Sequence, residues 1–247
     1  MKATRSLIGL AAVLALFGAA CGDDDKDSSG TTAVETTVPG DETTVPETTP
    51  ETTPANPYEG ELVGTFAVDA GDCTGAAPAG SYFQMVMPGG TAEAGPFIAN
   101  ADSACTDTNY SLLEAGTDGG LVIGGDQAAP DPAFDATGNG LADKIIAPVT
   151  FFGVAFAAAT DPAEAAPMVM AADGVLSGDL SAFTAYYGTG VFNQGAPKPD
   201  GSGDGPTGTI DLETGHFTLT WTSLIVGGSF DGFTGVWHLE GTFTPQA

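Results

Sequence analysis

The C-terminal part of the chain carries the pattern that most constrains its fold, an alternation of apolar and polar residues in two neighbouring segments. The apolar positions are Phe217, Leu219 and Trp221 in the first segment and Trp237, Leu239, Gly241 and Phe243 in the second. Glycine-rich residues 227–235 separate the segments. Alternation with a period of two is typical of strands that bury one face. We therefore expect an antiparallel hairpin with both tryptophans in the core and with His238 beside Glu240 on its polar face.

Shorter apolar segments rich in Val, Ile, Phe and Thr predict further strands. They cover residues 61–68, 81–87, 121–123, 145–158, 175–187 and 207–212. In the first we expect Leu62, Gly64, Phe66 and Val68 to share a face. Gly89-Gly90 should end the segment 81–87. Pro148 and Gly153 interrupt the longest segment, 145–158, which should therefore form either one bulged strand or two short strands.

Residues 58–247 are numerous enough to bury a core, and amphipathic periods of helical length are scarce in them. No second linker divides this part of the chain. The pattern therefore predicts one all-β domain, an antiparallel β-sandwich or barrel-like fold.

The N-terminus has the three parts of a secretory signal peptide. A basic head, Met1 to Arg5, precedes an apolar run from Leu7 to Phe17. This run is too short to cross a hydrocarbon core of about 30 Å as a helix. Small residues, Gly18-Ala19-Ala20, then lead directly to Cys21, so the sequence predicts export and cleavage of the leader.

The order of residues before Cys21 resembles the lipobox of bacterial lipoproteins, although Gly18 stands where that family usually has leucine. The resemblance covers residues 1–21 only. It implies a signal peptide over residues 1–20, diacylation of the Cys21 thiol, and a membrane-anchored protein on the cell surface or the periplasmic face. The alternative is ordinary signal cleavage that leaves Cys21 free.

Residues 21–57 have the composition of a tether. They begin with an acidic stretch and continue as a loose Thr-Thr-Val-Pro and Thr-Thr-Pro repeat punctuated by glutamates. Such a segment buries too little apolar surface to offset its chain entropy, so we expect it to be disordered. Fully extended, about 35 residues at ~3.1 Å each would reach ~110 Å.

The charge balance excludes one class of partner. The chain has 32 acidic residues against five Lys and Arg, for a net charge of −27, and residues 58–247 have 23 acidic residues against two lysines. Binding of nucleic acids needs clustered basic residues, and anionic membrane surfaces should repel this domain. The surface favours cations or basic ligands; the alternative is that the charge only maintains solubility.

Cys73 and Cys105 are the cysteines that remain in the predicted domain. In an oxidising compartment outside the cytoplasm such a pair usually forms a disulfide. Closing a loop of about 33 residues would stabilise the domain by about 3–4 kcal/mol in the chain-entropy model.

Residues 135–143 have the spacing of a calcium loop. The candidate ligands are Asp135, Thr137, Asn139, the carbonyl of Leu141, and Asp143. Oxygen ligands at alternate positions followed by glycine let a chain wrap around a hard cation. The spacing resembles the Asp-rich loops of dockerin and thrombospondin type 3 repeats, but position 3 is threonine and position 12 is Ile146, so no bidentate carboxylate closes the site. The alternative is a glycine-rich turn.

A second segment repeats this spacing with Asp200, Ser202 and Asp204, and Asp211 falls at position 12. Pro206 at position 7 and the absence of flanking helical patterns exclude an EF-hand. A weaker calcium site and an exposed acidic turn are the two alternatives.

No motif for catalysis stands out. The chain has two histidines, His216 and His238, and lacks the His-Glu-x-x-His, Gly-x-Ser-x-Gly and phosphate-loop patterns. His238 with Glu240 is either an acid–base pair or a solvated cross-strand contact. Four tyrosines could line a carbohydrate surface or fill the core, namely Tyr82, Tyr110, Tyr186 and Tyr187.

Two hypotheses for function follow. The first is a lipid-anchored binding or structural module for an unknown extracellular or cell-envelope ligand, stabilised by calcium if either loop binds it. The alternative is an extracytoplasmic hydrolase that uses paired carboxylates, for example on glycans.

Overall fold

Strands make up nearly all of the regular structure in a computed structural model, which describes residues 55–75 and 77–246. The strands are β1 Gly60–Leu62, β2 Gly64–Val68, β3 Tyr82–Thr91, β4 Gly95–Phe97, β5 Ser111–Leu112, β6 Gly120–Ile123, β7 Ile146–Phe151, β8 Val154–Thr160, β9 Met168–Ala172, β10 Val175–Asp179, β11 Phe183–Tyr187, β12 Gly190–Asn193, β13 Thr207–Ile210, β14 His216–Leu224 and β15 Thr234–Pro245. Gly228–Phe230 form a 3₁₀ turn. The predicted signal peptide, Cys21 and most of the tether lie outside the described residues. Within those residues, no helix has the length and apolar character needed to cross a bilayer.

The larger sheet nearly closes on itself. β15 pairs with β14 along its length and also with β3 and then β2, and the sheet continues through β13, β10 and β9 to β1. Only Val63 separates β1 from β2 in the sequence, and β2 pairs with β15. The order of strands therefore begins and ends in the same segment of the chain, which brings the two edges of the sheet together. Leu62, Gly64, Phe66 and Val68 all point into this barrel-like sheet and are buried, as the alternation predicts.

The C-terminal hairpin is confirmed. β14 and β15 pair in register over nine residues, with Trp221 opposite Trp237. Both indoles are buried, and they stack with ring centroids 6.0 Å apart. The threonines between the apolar positions of β14 face outward, so the period-two pattern comes from burial of one face.

A second, four-stranded sheet has the order β12-β11-β8-β7. Its inward aromatic side chains pack against the barrel-like sheet: Phe183 contacts both tryptophans, and Phe156 contacts Trp237. The predicted all-β fold of sandwich or barrel type is therefore confirmed.

Three strand predictions need correction or refinement. Gly89-Gly90 do not end the second segment, because β3 continues to Thr91 as an exposed extension that pairs with β4 after a register shift. Residues 175–187 form two strands, β10 and β11, in different sheets. Residues 145–158 are two strands, β7 and β8, joined by a tight turn at Phe152-Gly153.

Candidate functional site

A small apolar cavity of about 50 Å³ lies between the two sheets and is partly open to solvent. Its aromatic lining consists of Phe83, Phe151, Phe156, Tyr187, Phe192, Phe230 and Trp237. Met85, Ala185 and Ile225 also line it. Side chains from β3 and β15 form one side and side chains from the four-stranded sheet form the other. The cavity therefore exists because two layers of large aromatic residues meet without filling the space between them.

Gln194 is the one amide side chain in this lining, and it is only 2% exposed. Its Oε1 accepts a hydrogen bond from Trp237 Nε1 at 3.2 Å, and its Nε2 donates to the Asn193 carbonyl at 3.0 Å. The Gln194 carbonyl accepts from Trp221 Nε1 at 2.8 Å. Both tryptophans of the C-terminal hairpin thus hold this residue in place.

Gly235 makes room for the Gln194 amide. A Cβ atom added at Gly235 would collide with Gln194 Oε1 and would lie 3.0 Å from a ring carbon of Phe83. The glycine on β15 therefore lets the amide approach the strand and reach Trp237.

The mouth of the cavity lies at one end of the sandwich. Tyr187, Phe192 and Phe230 also line an open depression between the β11–β12 turn and residues 226–230. Gly228 approaches the Phe192 ring so closely that an added Cβ would lie 2.8 Å from it. Val191 and Val226, which border the depression, are 55% and 70% exposed. The cavity therefore opens at an apolar rim.

Tyr187 connects the mouth to the interior. Its hydroxyl donates to the Phe151 carbonyl at 2.9 Å. Burial, followed by the nearby Asp102 carboxylate, raises the pKa of the Tyr187 hydroxyl. The phenol is therefore neutral at ordinary pH and adds no charge to the lining.

The first candidate calcium loop forms a hydrogen-bonded turn between β6 and β7. The Asp135 carboxylate accepts bonds from the main-chain and side-chain groups of Thr137 and Asn139. These bonds, those from the side chains of Asn139 and then Thr137 most strongly, lower the pKa of Asp135 to about 2. The polar residues whose spacing predicts a cation-binding loop therefore form hydrogen bonds with one another in this structure.

The main chain at Leu141 and at Asp143 and the side chain of Asn139 make further hydrogen bonds in this loop. The Leu141 amide donates to the Ala133 carbonyl, and the Asp143 carbonyl accepts from Thr117. Asn139 Oδ1 accepts from the Ala155 amide at 2.8 Å. Over residues 55–75 and 77–246, no group of three or more His, Cys, Asp or Glu is arranged to hold a metal. Calcium at this loop stays a prediction.

The second candidate loop is divided between two turns. Asp200 accepts from the Ser202 amide at 2.9 Å, and Asp204 is exposed. Asp211 instead closes the β13–β14 turn by accepting from the amides of Glu213 and Thr214. The structure therefore gives Asp211 a local role in its own turn.

Both histidines lie against Glu240 on the outer face of the hairpin. His216 Nε2 is 3.4 Å from one Glu240 oxygen, and His238 Nε2 is 3.8 Å from the other. His238 Nδ1 is 2.9 Å from Thr220 Oγ1, and the Tyr82 ring stacks on the imidazole at 4.6 Å. The prediction that His238 and Glu240 share a face is confirmed. The proximity of His216 to Glu240 depends instead on the register between β14 and β15.

The other predicted residues take structural positions. Cys73 and Cys105 lie at disulfide distance, as predicted, with Cα atoms 5.4 Å apart. Tyr186 is buried, and Tyr82 and Tyr110 pack edge to face at 5.1 Å. Sequence reasoning missed the cavity, because its lining comes from segments far apart in the chain. The density of phenylalanine was the only signal that could have indicated it.

No family model, curated protein or solved structure matches this chain. Function is therefore inferred from the site. An apolar enclosure with a fixed amide and an open rim can hold a small apolar group away from water.

Proposed function

We propose that this protein is a lipid-anchored, extracytoplasmic binding module that takes a small apolar molecule into the cavity between its sheets. The observation that carries the proposal is the cavity itself, with its aromatic lining, its one buried amide and its mouth at an apolar rim. Concave apolar sites with a few placed polar groups are the usual form of small-molecule sites. Transfer of apolar surface from water stabilises a complex by about 25 cal/mol per Å².

The anchor and the location rest on the sequence. The lipobox-like order Gly18-Ala19-Ala20-Cys21 supports attachment to membrane lipid, and the Thr/Pro-rich composition that follows supports a spacer. The strongly acidic domain would not settle on an anionic bilayer surface. Together these features favour a domain that meets its ligand in the surrounding solvent.

The carboxylate-dependent hydrolase lacks a supporting observation. A general acid in such enzymes needs a raised pKa. The carboxyl groups with clearly shifted pKa values, those of Asp72, Asp135, Asp200 and Asp211, are all shifted downward by hydrogen bonds. Binding is therefore the better-supported function.

Toluene is a suitable first probe for the cavity. The full chain with Cys21→Ser, which removes the predicted lipid site, avoids detergent that would compete for apolar space. We expect toluene to raise the thermal midpoint, because a ligand that binds only the native state stabilises it. The indole N–H resonance of Trp237, which lines the cavity, should shift more than that of Trp221, which does not.

A matched pair of variants tests where toluene binds. Ala185→Phe places a ring in the cavity and should abolish the rise in midpoint, whereas Ala172→Phe, at an exposed position of β9, should preserve it. Absence of any toluene effect on the wild-type midpoint and on Trp237 would overturn the proposal. An equal rise in the Ala185→Phe variant would also overturn it.

A further inference from the structure

The methionines of this chain occur in a repeated triplet. Apart from Met1, they all lie in two copies of Met-Val-Met, at residues 85–87 and 168–170. The fold places the two copies differently. In the first, Met85 is 5% exposed and lines the cavity, whereas Met87 is exposed. In the second, on β9, Met168 and Met170 are 44% and 47% exposed. Only the second copy therefore presents both of its thioethers to solvent.

We propose that Met168 and Met170 form a surface site for a soft monovalent metal ion, Cu(I). Residues two apart in a strand point to the same face, with Cα atoms about 7 Å apart. A methionine side chain is unbranched and has three rotatable bonds, so both sulfur atoms can turn onto one ion between them. Thioether ligands select Cu(I), whereas Ca²⁺ and Mg²⁺ prefer oxygen ligands.

Carboxylates flank this methionine pair on both sides. Pairing with β1 places Glu61 opposite Met170, and pairing with β10 places Asp179 opposite Met168. Side chains directly opposite each other in an antiparallel pair share a face, with Cβ atoms about 4.5–5.5 Å apart. The two negative charges attract a cation and offer oxygen atoms beside the sulfur atoms. The neighbours of the methionine pair therefore favour a metal ion over an uncharged apolar partner.

This site is separate from the cavity between the sheets. The described residues that line the cavity include none from β1, β9 or β10, so the proposal does not depend on the binding of an apolar molecule. The compartment that the sequence predicts also favours thioethers as soft ligands. Thiols outside the cytoplasm are consumed by disulfide formation, and Cys73 and Cys105 lie at disulfide distance. A thioether has no S–H group to lose in this way.

Silver(I) is the first probe, because it is a soft ion of the same charge and needs no reductant. It would be titrated into the full chain carrying Cys21→Ser, since a free thiol would compete for the ion. We expect the methyl resonances of Met168 and Met170 to move together in the NMR spectrum at low silver concentration. The resonance of Met87, which is exposed but has a buried triplet partner, should stay in place. CaCl₂ at the same concentration should move none of the three.

The affinity for Cu(I) itself would be measured by competition with bicinchoninate in the presence of ascorbate. Met170→Leu changes the side-chain volume little, so the fold should be retained. We expect this variant to bind Cu(I) at least about tenfold more weakly, because even the loss of groups that only orient a ligand costs metal sites about 10–100-fold in affinity. Met168→Leu should have the same effect, and Met87→Leu is the matched control that should bind as wild type does.

The site is overturned if silver moves the Met87 resonance as much as those of Met168 and Met170, because any exposed thioether would then respond. Absence of a methyl shift in the wild-type chain would also overturn it. Cu(I) affinity that is unchanged in both Met168→Leu and Met170→Leu would place the ion elsewhere and reject the methionine pair. The methyl shifts in the wild-type chain decide the question even if a variant folds poorly.

Discussion

His238 lies on the polar face that the alternation predicts, yet packing buries most of its side chain and shifts its pKa. Its side chain is only 19% exposed, since Tyr82 covers one side of the ring and Thr220 contacts Nδ1. Burial lowers the pKa of the imidazole, although Glu240 acts in the opposite direction. Folding therefore favours the neutral ring.

This shift makes stability depend on pH. Because the folded pKa lies below the unfolded value of 6.5, the unfolded chain binds more protons as the pH falls below that value, and stability decreases. We expect the free energy of unfolding to fall between about pH 7 and about pH 5.5 more steeply in wild type than in His238→Gln. Urea unfolding followed by tryptophan fluorescence would measure the difference.

The exposed histidine provides the control for this experiment. His216 is 50% exposed and contacts the same glutamate, so His216→Gln should leave most of the pH dependence in place. Identical slopes in wild type and His238→Gln would show that burial of His238 does not govern this pH range.

At the scale of single residues, the sequence predicts pairs but not the cavity. Cys73 with Cys105, and His238 with Glu240, could be inferred from number and spacing. The proximity of Phe192, Gln194 and Phe230 could not be inferred in this way. Phe192 lies in β12, Gln194 follows that strand, and Phe230 lies in a turn near the C-terminus, and no periodicity in the sequence links these positions. They meet only after two sheets have packed together.

At the scale of strands, close approach depends on glycine at positions such as Gly208 of β13. Gly208 lies opposite Leu219 of β14, and an added Cβ would collide with the Thr218 carbonyl. The obstacle is backbone, which cannot move aside like a flexible side chain. The β13–β14 pair therefore has no room for a side chain at this point.

Gly208→Ala should destabilise the protein by about 1–3 kcal/mol, the usual cost of overpacking a well-fitted site. The free energy of unfolding from urea titration would measure it. Gly125→Ala is the matched control, since an added Cβ there meets only the end of the Val122 side chain at 3.0 Å. Equal stability of the two variants would contradict the close-approach argument.

Strands with a local signal could be predicted, whereas strand partners could not. The alternation in β14 and β15 requires only that one face be buried, and that is a property of each segment by itself. Residues 180–183 are buried throughout, so hydropathy does not reveal that the chain leaves one sheet and enters the other there. Closure of the larger sheet through β1 and β9 joins segments separated by more than a hundred residues, and no local pattern specifies it.

At the scale of the whole molecule, repulsion among acidic residues opposes folding. The two lysines of the domain neutralise little of this charge. Lys144 pairs with Asp118 at 3.3 Å, and Lys198 is partly buried and donates to the Asn193 carbonyl at 2.6 Å. Burial lowers the pKa of Lys198 to about 8, with Asp200 opposing the shift. Most carboxylates of the domain therefore lack a cationic partner.

Screening should relieve this repulsion. The Debye length falls from about 10 Å at 0.1 M salt to about 3 Å at 1 M, so we expect NaCl to raise the thermal midpoint of the full chain steadily over that range. A flat or falling midpoint would show that net charge does not limit stability.

A second series with CaCl₂ at equal ionic strength separates screening from a specific site. If calcium binds the predicted loop at Asp135, the thermal midpoint should rise further at low calcium concentration. Asp135→Asn should remove that added rise, while Glu93→Gln, which removes one exposed charge elsewhere, should keep it. Coincident NaCl and CaCl₂ curves would instead mean that the loop is held by its own hydrogen bonds, and the calcium hypothesis would then be wrong.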